Sequence, residues 1–365
     1  MSKIRVLVVD DSVVTRKLVS DALAADPLVE VVGVAGNGRI ALRMLTQVNP
    51  DAVILDVEMP GMDGLAALAE LRKTHPKLPV IMFSTLTDRG AAATLEALAK
   101  GANDYVTKPA NAGSLAAAIQ HVQDQLLPRI KLFCRGRDGA TGLLAARQES
   151  STNRALGTNR TPRKVSVIGI GCSTGGPNAL ADLLAALPLD LPVPILITQH
   201  MPPTFTRLLA EGLTVQTGFP VIETTDDDRL EPGVVYVAPG DHHLTVAPTA
   251  NGVVVKLNQQ PAENGCRPAV DVMFRSLAQT FGAGTLGVVL TGMGKDGLRG
   301  AERIVEAGGT VLAQDEATSV VWGMPGFVAN AGLARQVLPL LELPDAITKL
   351  VTGGRPATAL SIGGA

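Results

Sequence analysis

Apolar positions along this chain repeat in two blocks separated by a stretch with no period at all. From Lys3 to about Leu127, short β-branched runs (IRVLVVD, VEVVGVA, DAVILD, PVIMFS and DYVTK) alternate with alanine- and leucine-rich stretches such as Ser12–Ala25 and Leu65–Thr74. Unbroken apolar runs of strand length between helical stretches are what a parallel sheet covered on both faces by helices requires, so the pattern predicts a five-stranded α/β domain. From about Pro128 to Lys164 the periodicity fails and Gly, Ser, Thr, Asn and Arg dominate. That composition predicts a mobile, basic linker. The grammar resumes at Val165 with VSVIGIG, VPILITQH, TLGVVLTG and GTVLAQD, separated by helical stretches such as Ala179–Leu187 and Ala269–Phe281. Within this block GVVYVAPGDHHLTVAP and GVVVKLN, joined by Pro-Gly and Asn-Gly turns, predict an antiparallel excursion. The expected organisation is two doubly wound α/β domains: residues 1–127, a linker over 128–164, a larger, mostly parallel domain with a β-hairpin insertion over 165–352, and a frayed tail over 353–365.

Composition removes several classes. Thirty-two basic against thirty-four acidic residues give a net charge of −2 over 365 residues, so no global field attracts nucleic acid or an anionic membrane. The basic linker lacks the interleaved aromatics of a nucleic-acid contact and is read as a solvated tether. No apolar run approaches the roughly 18 residues that span a bilayer, and the N-terminus reaches aspartates before a signal-peptide core can form, so a cytoplasmic location is expected. Three widely spaced cysteines, Cys134, Cys172 and Cys266, without a CxxC pair indicate neither a disulfide framework nor a structural zinc site.

In the first block, predicted strand one ends in Asp10-Asp11 and strand three in Asp56, which brings three carboxylates to the carboxyl edge of the sheet. Converging like charges need a cation, and hard oxygen ligands at an open edge suit Mg²⁺, which keeps part of its hydration for a phosphoryl group. Strand four ends in Ser84-Thr85 and strand five in Lys108-Pro109, adding a hydroxyl and an ammonium. The motifs VVDDS, ILDVEMPGMDGL, VIMFST and DYVTKP resemble a response-regulator receiver domain across residues 1–127. The resemblance implies a phosphoryl group taken by Asp56 from a histidine kinase, Mg²⁺ held by Asp10, Asp11 and Asp56, Ser84 as switch hydroxyl, Tyr105 as switch aromatic and Lys108 as the phosphate-facing ammonium.

In the second block, IGIGCSTGGP fails both phosphate-loop readings: Thr174 stands where the dinucleotide fingerprint needs its third glycine, and Pro177 where a P-loop needs lysine. What fits is G-x-S-x-G, Gly171 to Gly175, between an apolar strand and a helix that Pro177 can open, a turn that exposes Ser173. A serine that merely caps the helix is the competing reading. Two further strand ends weigh against it, since VPILITQH delivers His200 and TLGVVLTGMGKDG delivers Asp296. In the triad they would form, His200 takes the Ser173 proton and Asp296 fixes the imidazole tautomer. The chain order Ser, His, Asp disfavours the α/β-hydrolases, whose order is Ser, Asp, His. His242-His243 are expected in a turn, as surface or hinge residues.

The motifs IGCSTGGP, QHMPPTFT, APGDHHL, RPAVDVMFRSLA, LTGMGKDG and VWGMPG resemble the catalytic domain of the chemotaxis protein-glutamate methylesterases over roughly Lys164 to Leu350. The resemblance places nucleophile, base and acid on Ser173, His200 and Asp296, and the substrate cleft and oxyanion site at Thr174 and Met293. It implies hydrolysis of glutamate γ-methyl esters on methyl-accepting chemotaxis receptors without a cofactor for that step, possible deamidation of receptor glutamine, the chemotaxis histidine kinase as phosphodonor, and a receiver that covers the cleft until phosphorylated. Related sequences commonly carry alanine at Cys172 and histidine at Cys266, so no role is carried over to the latter. Two other classes stay open: a receiver with a non-catalytic hydrolase-like scaffold, against which the intact Ser173, His200 and Asp296 argue, and a DNA-binding output, for which no basic recognition helix is present.

Overall fold

The computed structural model describes residues 2–109, 114–135 and 164–353; the expected linker beyond residue 135 and the tail from residue 354 lie outside them. Two compact units divide the chain near residue 160. In the first, β1 (Ile4–Val9), α1 (Val13–Ala24), β2 (Val29–Ala35), α2 (Gly38–Val48), β3 (Ala52–Asp56), α3 (Gly64–Thr74), β4 (Val80–Ser84), α4 (Asp88–Ala99), β5 (Asp104–Thr107) and α5 (Leu115–Arg135) follow in strict alternation. The strand order is β2-β1-β3-β4-β5, with every pairing parallel. Successive strand residues point to opposite faces, which splits the core. Leu7, Val9, Val53 and Leu55 pack on one side with residues of α2 and α3, and Val6, Val8, Ile54 and Phe83 on the other with residues of α1 and α5. Four of the helices start on a side-chain cap, Ser12, Asn37, Asp63 and Thr87, each accepting from a backbone N–H three residues on. These polar residues stop each strand and start each helix at the same edge.

The first unit extends past its expected end at residue 127: α5 runs through Pro128 to Arg135. A mid-helix proline costs about 3 kcal/mol in a missing N–H and a ring clash. Here the continuation buries Ile130 on the stripe already formed by Val122 and Leu126, and Arg129 and Lys131 pair with Asp104 and Asp26. Tertiary packing outweighs the local break.

In the second unit β6 (Val167–Cys172), α6 (Gly176–Ala186), β7 (Ile195–Gln199), α7 (Phe205–Thr217), β8 (Val221–Glu223), β9 (Val235–Val237), β10 (His243–Thr249), β11 (Gly252–Asn258), α8 (Val270–Phe281), β12 (Thr285–Val289), α9 (Leu298–Glu306), β13 (Thr310–Gln314), α10 (Met324–Asn330), β14 (Gln336–Leu338) and α11 (Leu343–Thr352) build a seven-stranded parallel sheet, β14-β13-β12-β6-β7-β9-β8, and a separate hairpin, β10-β11. The hairpin is narrower than expected. Val235–Val237, read from sequence as part of the excursion, lies in the parallel sheet between β7 and β8. The core gathers on α8, whose Val270, Met273, Phe274 and Leu277 are fully buried with Val167, Leu196 and Val289. His243 also differs from expectation: it is 1% exposed, its Nδ1 accepts from the Ala269 N–H at 3.2 Å, and its Nε2 therefore donates to Pro261 O at 3.1 Å. It braces both ends of the segment joining β11 to α8.

Candidate functional site

The topology of each sheet decides where its chemistry collects. In the first unit the chain leaves β1 for β2 on one side and returns through β3 on the other, which opens a crevice at the carboxyl ends of β1 and β3. Asp10 and Asp56 are buried there, at 1% and 2% exposure, with Asp11 exposed beside them. One carboxylate oxygen from each of the three lies within 4.8 Å of the others. The Lys108 ammonium, just past β5, sits 2.8 Å from Asp10 and 2.9 Å from Asp56. Burial raises the Asp56 carboxyl to about 6 against the hydrogen bond from Lys108, with Asp10 pushing the same way. Burial works against the Lys108 charge, but the two carboxylates outweigh it and hold its pKa above the ordinary value. Ser84 closes β4 with its hydroxyl fully buried, donating to Gly90 O at 3.0 Å. Tyr105 is half-buried beside the α2–α3 side of the core, and burial, then Asp104, raises its phenol.

In the second unit β6 is central, with β12 and β7 as its parallel neighbours. The register pairs Cys172 with Gln199, so the next residues, Ser173 and His200, leave adjacent strands side by side, about 4.8 Å being the spacing between strands. The His200 N–H donates to Cys172 O at 3.2 Å. At the turn Gly175 adopts φ 80°, a left-handed conformation that disfavours any residue with a Cβ. A Cβ on Gly176 would run into the buried amide oxygen of Gln199. The glycines thus set the elbow itself and its fit against β7. Two N–H groups that could face an oxyanion are used internally, Ser173 N–H on Thr291 O at 3.1 Å and Gly176 N–H on Ser173 O at 2.8 Å. Thr174 is buried, its carbonyl accepting from the Thr291 hydroxyl at 2.9 Å, and Met293 is half-buried on the loop after β12.

Asp296, 2% exposed on that loop, accepts from His200 Nε2 at 2.8 Å. The same oxygen takes the Val270 N–H at 2.7 Å, and its other oxygen takes the N–H groups of Asp271 and Gly297 and the Asn264 amide, each at 3.0 Å. Burial opposes its charge, but His200 and these backbone donors outweigh that and hold Asp296 below the ordinary carboxylate range. Burial likewise opposes the His200 cation, and Asp296 and Cys266 reverse this, raising the imidazole to about 10. With Nε2 committed to Asp296, Nδ1 is the nitrogen left to exchange a proton with a neighbour.

Three residues at this centre carry no expectation from the sequence, Gln199, Asn264 and Asp271, and for a fourth, Cys266, the sequence assigns no role. Gln199, 2% exposed, donates its amide to Ser173 O at 3.0 Å and His200 O at 3.3 Å, tying the two strand ends together. Asn264 bridges Asp296 and Asp271. Asp271, 1% exposed at the start of α8, accepts from Gly300 N–H at 2.6 Å; burial, and Asp296 nearby, raise it to about 6 against that bond. Cys266 places its sulfur 3.5 Å from His200 Nδ1. The one signal available for these was the Asn-Gly dipeptide at 264–265, a hairpin-turn marker.

Comparison with known proteins agrees with both units. Residues 168–347 match the family model described as CheB methylesterase, and residues 6–120 that of the response regulator receiver domain. A protein-glutamate methylesterase/protein-glutamine glutaminase of Trichodesmium erythraeum is 50% identical over 351 residues, covering 96% of this chain and all of the relative. One from a Nocardioides species is 52% identical over 359 residues, covering 98% of each. The crystal structure of the Thermotoga maritima CheB methylesterase catalytic domain superposes with a TM-score of 0.50 at 41% identity, covering 52% of this chain and 98% of that one. With a receiver ahead of the matched esterase domain and relatives aligned end to end, the chain belongs to the CheB methylesterase family.

Proposed function

We propose that this chain is a phosphorylation-controlled esterase of the cytoplasm that hydrolyses glutamate γ-methyl esters on methyl-accepting chemotaxis receptors. The observation that carries the reading is the arrival of Ser173 after β6, His200 after β7 and Asp296 after β12 at one sheet edge, with His200 already paired to Asp296. Ser173 attacks the ester carbonyl while His200 takes its proton at Nδ1. The cation so formed is held by Asp296, which is kept ionised by its other donors. His200 returns the proton to the departing methanol, then draws one from the water that frees the glutamate. The same attack on a glutamine amide releases ammonia. Thr174 and Met293 line the cleft.

In the first unit Asp56 takes the phosphoryl group, and the chemotaxis histidine kinase is its donor. Asp10, Asp11 and Asp56 fit a divalent cation, since three carboxylate oxygens gather within 4.8 Å. Mg²⁺ held there would supply positive charge against the incoming phosphoryl oxygens. Lys108 passes from the carboxylates to the phosphoryl oxygens, and Ser84 and Tyr105 report the change to the surrounding surface. Methanol release from methylated receptor is the test. It is expected to vanish in Ser173→Ala, and to rise with a small-molecule phosphodonor and Mg²⁺ in wild type but not in Asp56→Ala. Release that survives Ser173→Ala would sink the esterase mechanism, and a normal phosphodonor response in Asp56→Ala would sink the switch.

A further inference from the structure

The segment from Asn258 to Val270 carries two side chains onto the His200–Asp296 pair, and its geometry is fixed from several directions. Asn264 (φ 54°) and Gly265 (φ 77°) form a two-residue turn with left-handed backbone at both positions, a conformation for which Asn-Gly is the favoured sequence. The turn is closed by Cys266 N–H on Glu263 O at 2.9 Å and Glu263 N–H on Cys266 O at 3.1 Å. Glu263 is clamped by both terminal nitrogens of Arg275, each at 2.6 Å. Arg267 holds Asp241 at 2.5 Å, and His243 grips Pro261 and Ala269. The Cys266 sulfur is thereby delivered to His200 Nδ1 by a braced frame. That nitrogen is the one through which Ser173 has to be activated, because Nε2 is taken by Asp296.

Resting on the esterase reading above, we propose that Cys266 is a positioning residue that competes with Ser173 for Nδ1 of His200, so that the resting centre holds its base in a thiol–imidazole pair and frees only part of it for ester attack. Proton transfer within the pair breaks the S–H bond and forms N–H, leaving a thiolate beside an imidazolium whose charge Asp296 supports. In that state His200 cannot accept the Ser173 proton. Return of the proton to sulfur restores the base. The acid–base groups against the ring are Asp296 from the loop after β12 and Cys266 from the turn; one step further out lie Asp271 of α8, bonded to Asn264, and Glu263, neutralised by Arg275. Of these, Cys266 alone meets Nδ1 among the described residues. Burial pulls the basicity of His200 down, and Asp296 and then Cys266 raise it above the ordinary value, which fits this arrangement.

The test is the pH profile of kcat/KM for methanol release by the full chain. The acid limb of that profile reports the base in the free enzyme. In Cys266→Ala the limb is expected to move to lower pH and kcat/KM on the acid side to rise several-fold, with Cys266→Ser in between. In wild type, iodoacetamide read by mass spectrometry is expected to alkylate Cys266 near pH 6.5 well above the rate of a free cysteine, whose pKa is about 8.5. Superimposable wild-type and Cys266→Ala profiles, a Cys266→Ala enzyme that is simply weaker at every pH, or alkylation at the free-thiol rate would each overturn the competition. Hydrolysis that persists in Ser173→Ala would instead overturn the esterase reading, a separate failure visible in the same assay.

Discussion

The two sheet edges solve opposite problems with the same group, a buried aspartate beside a switch in strand order. Burial, with Asp10 beside it, lifts the Asp56 carboxyl to about 6, because Lys108 and one backbone N–H compensate only part of its charge. Asp296 receives five donors and is driven the other way. A carboxylate that must react is left short of partners, whereas one that must only orient a neighbour is saturated with them. The difference lies in what surrounds each carboxylate: Asp56 ends β3 itself, whereas Asp296 sits on the loop past β12, where backbone N–H groups converge on it.

The hardest break of this comparison removes the chemistry from the second edge alone. Ser173→Ala is expected to lower methanol release by about 10⁴-fold or more while leaving phosphorylation of the first unit, followed by radiolabel, unchanged. Asp296→Asn tests saturation directly. The amide keeps the shape but donates where His200 must donate, so kcat should fall by roughly 10⁴-fold, far beyond the loss from any of its single backbone donors. Gln199→Leu cuts the tie between the two strand ends without touching a reacting atom. It should lower kcat about tenfold and cost about 1 kcal/mol in denaturant melts, because the half-buried His200 O loses its amide donor while Ser173 O keeps the Gly176 N–H.

The smallest effect sharpens the other side. The folded pKa of Asp56, about 6, lies above the roughly 3.9 of an unfolded aspartate, so the folded state binds the proton more tightly. Stability is then greatest below about pH 4 and is lost as pH rises through about 6. Asp56→Asn lacks this slope. With a chelator present, its melting temperature should exceed that of wild type by a few degrees near pH 8 and converge on it near pH 4. A gain that is equal at both pH values would show that burial of charge is not what sets the Asp56 carboxyl.

The residues that end strands were legible because chemistry and topology coincide there: Asp10, Asp56, Ser173 and His200 stand where apolar runs stop, and Asp296 follows on the loop after β12. The supporting residues were not, because their partners are distant in sequence. Asn264 lies 32 residues from Asp296 and Cys266 lies 66 from His200, and the Asn-Gly pair at 264–265 marks a turn without showing which strand end it reaches. Pro128 was read as a boundary on local grounds, and the burial of Ile130 overrode it. The short strands β8 and β14, three residues each, carry too few positions to show a period. Val235–Val237 belongs to the parallel sheet because its partners, β7 and β8, lie on that side, which its composition could not reveal.

The order of β12, β6 and β7 in the sheet also has a consequence in time. A ribosome releases Ser173 and His200 close together, but the carboxylate that His200 needs follows 96 residues later, and it arrives only when β12 docks against the far edge of β6. Until then a nascent chain carries a serine and an imidazole without the group that fixes the tautomer, and β6 offers an unpaired edge. Truncation before β12 should therefore yield an aggregation-prone fragment without esterase activity, and the appearance of that activity during synthesis would mark the moment the sheet is completed.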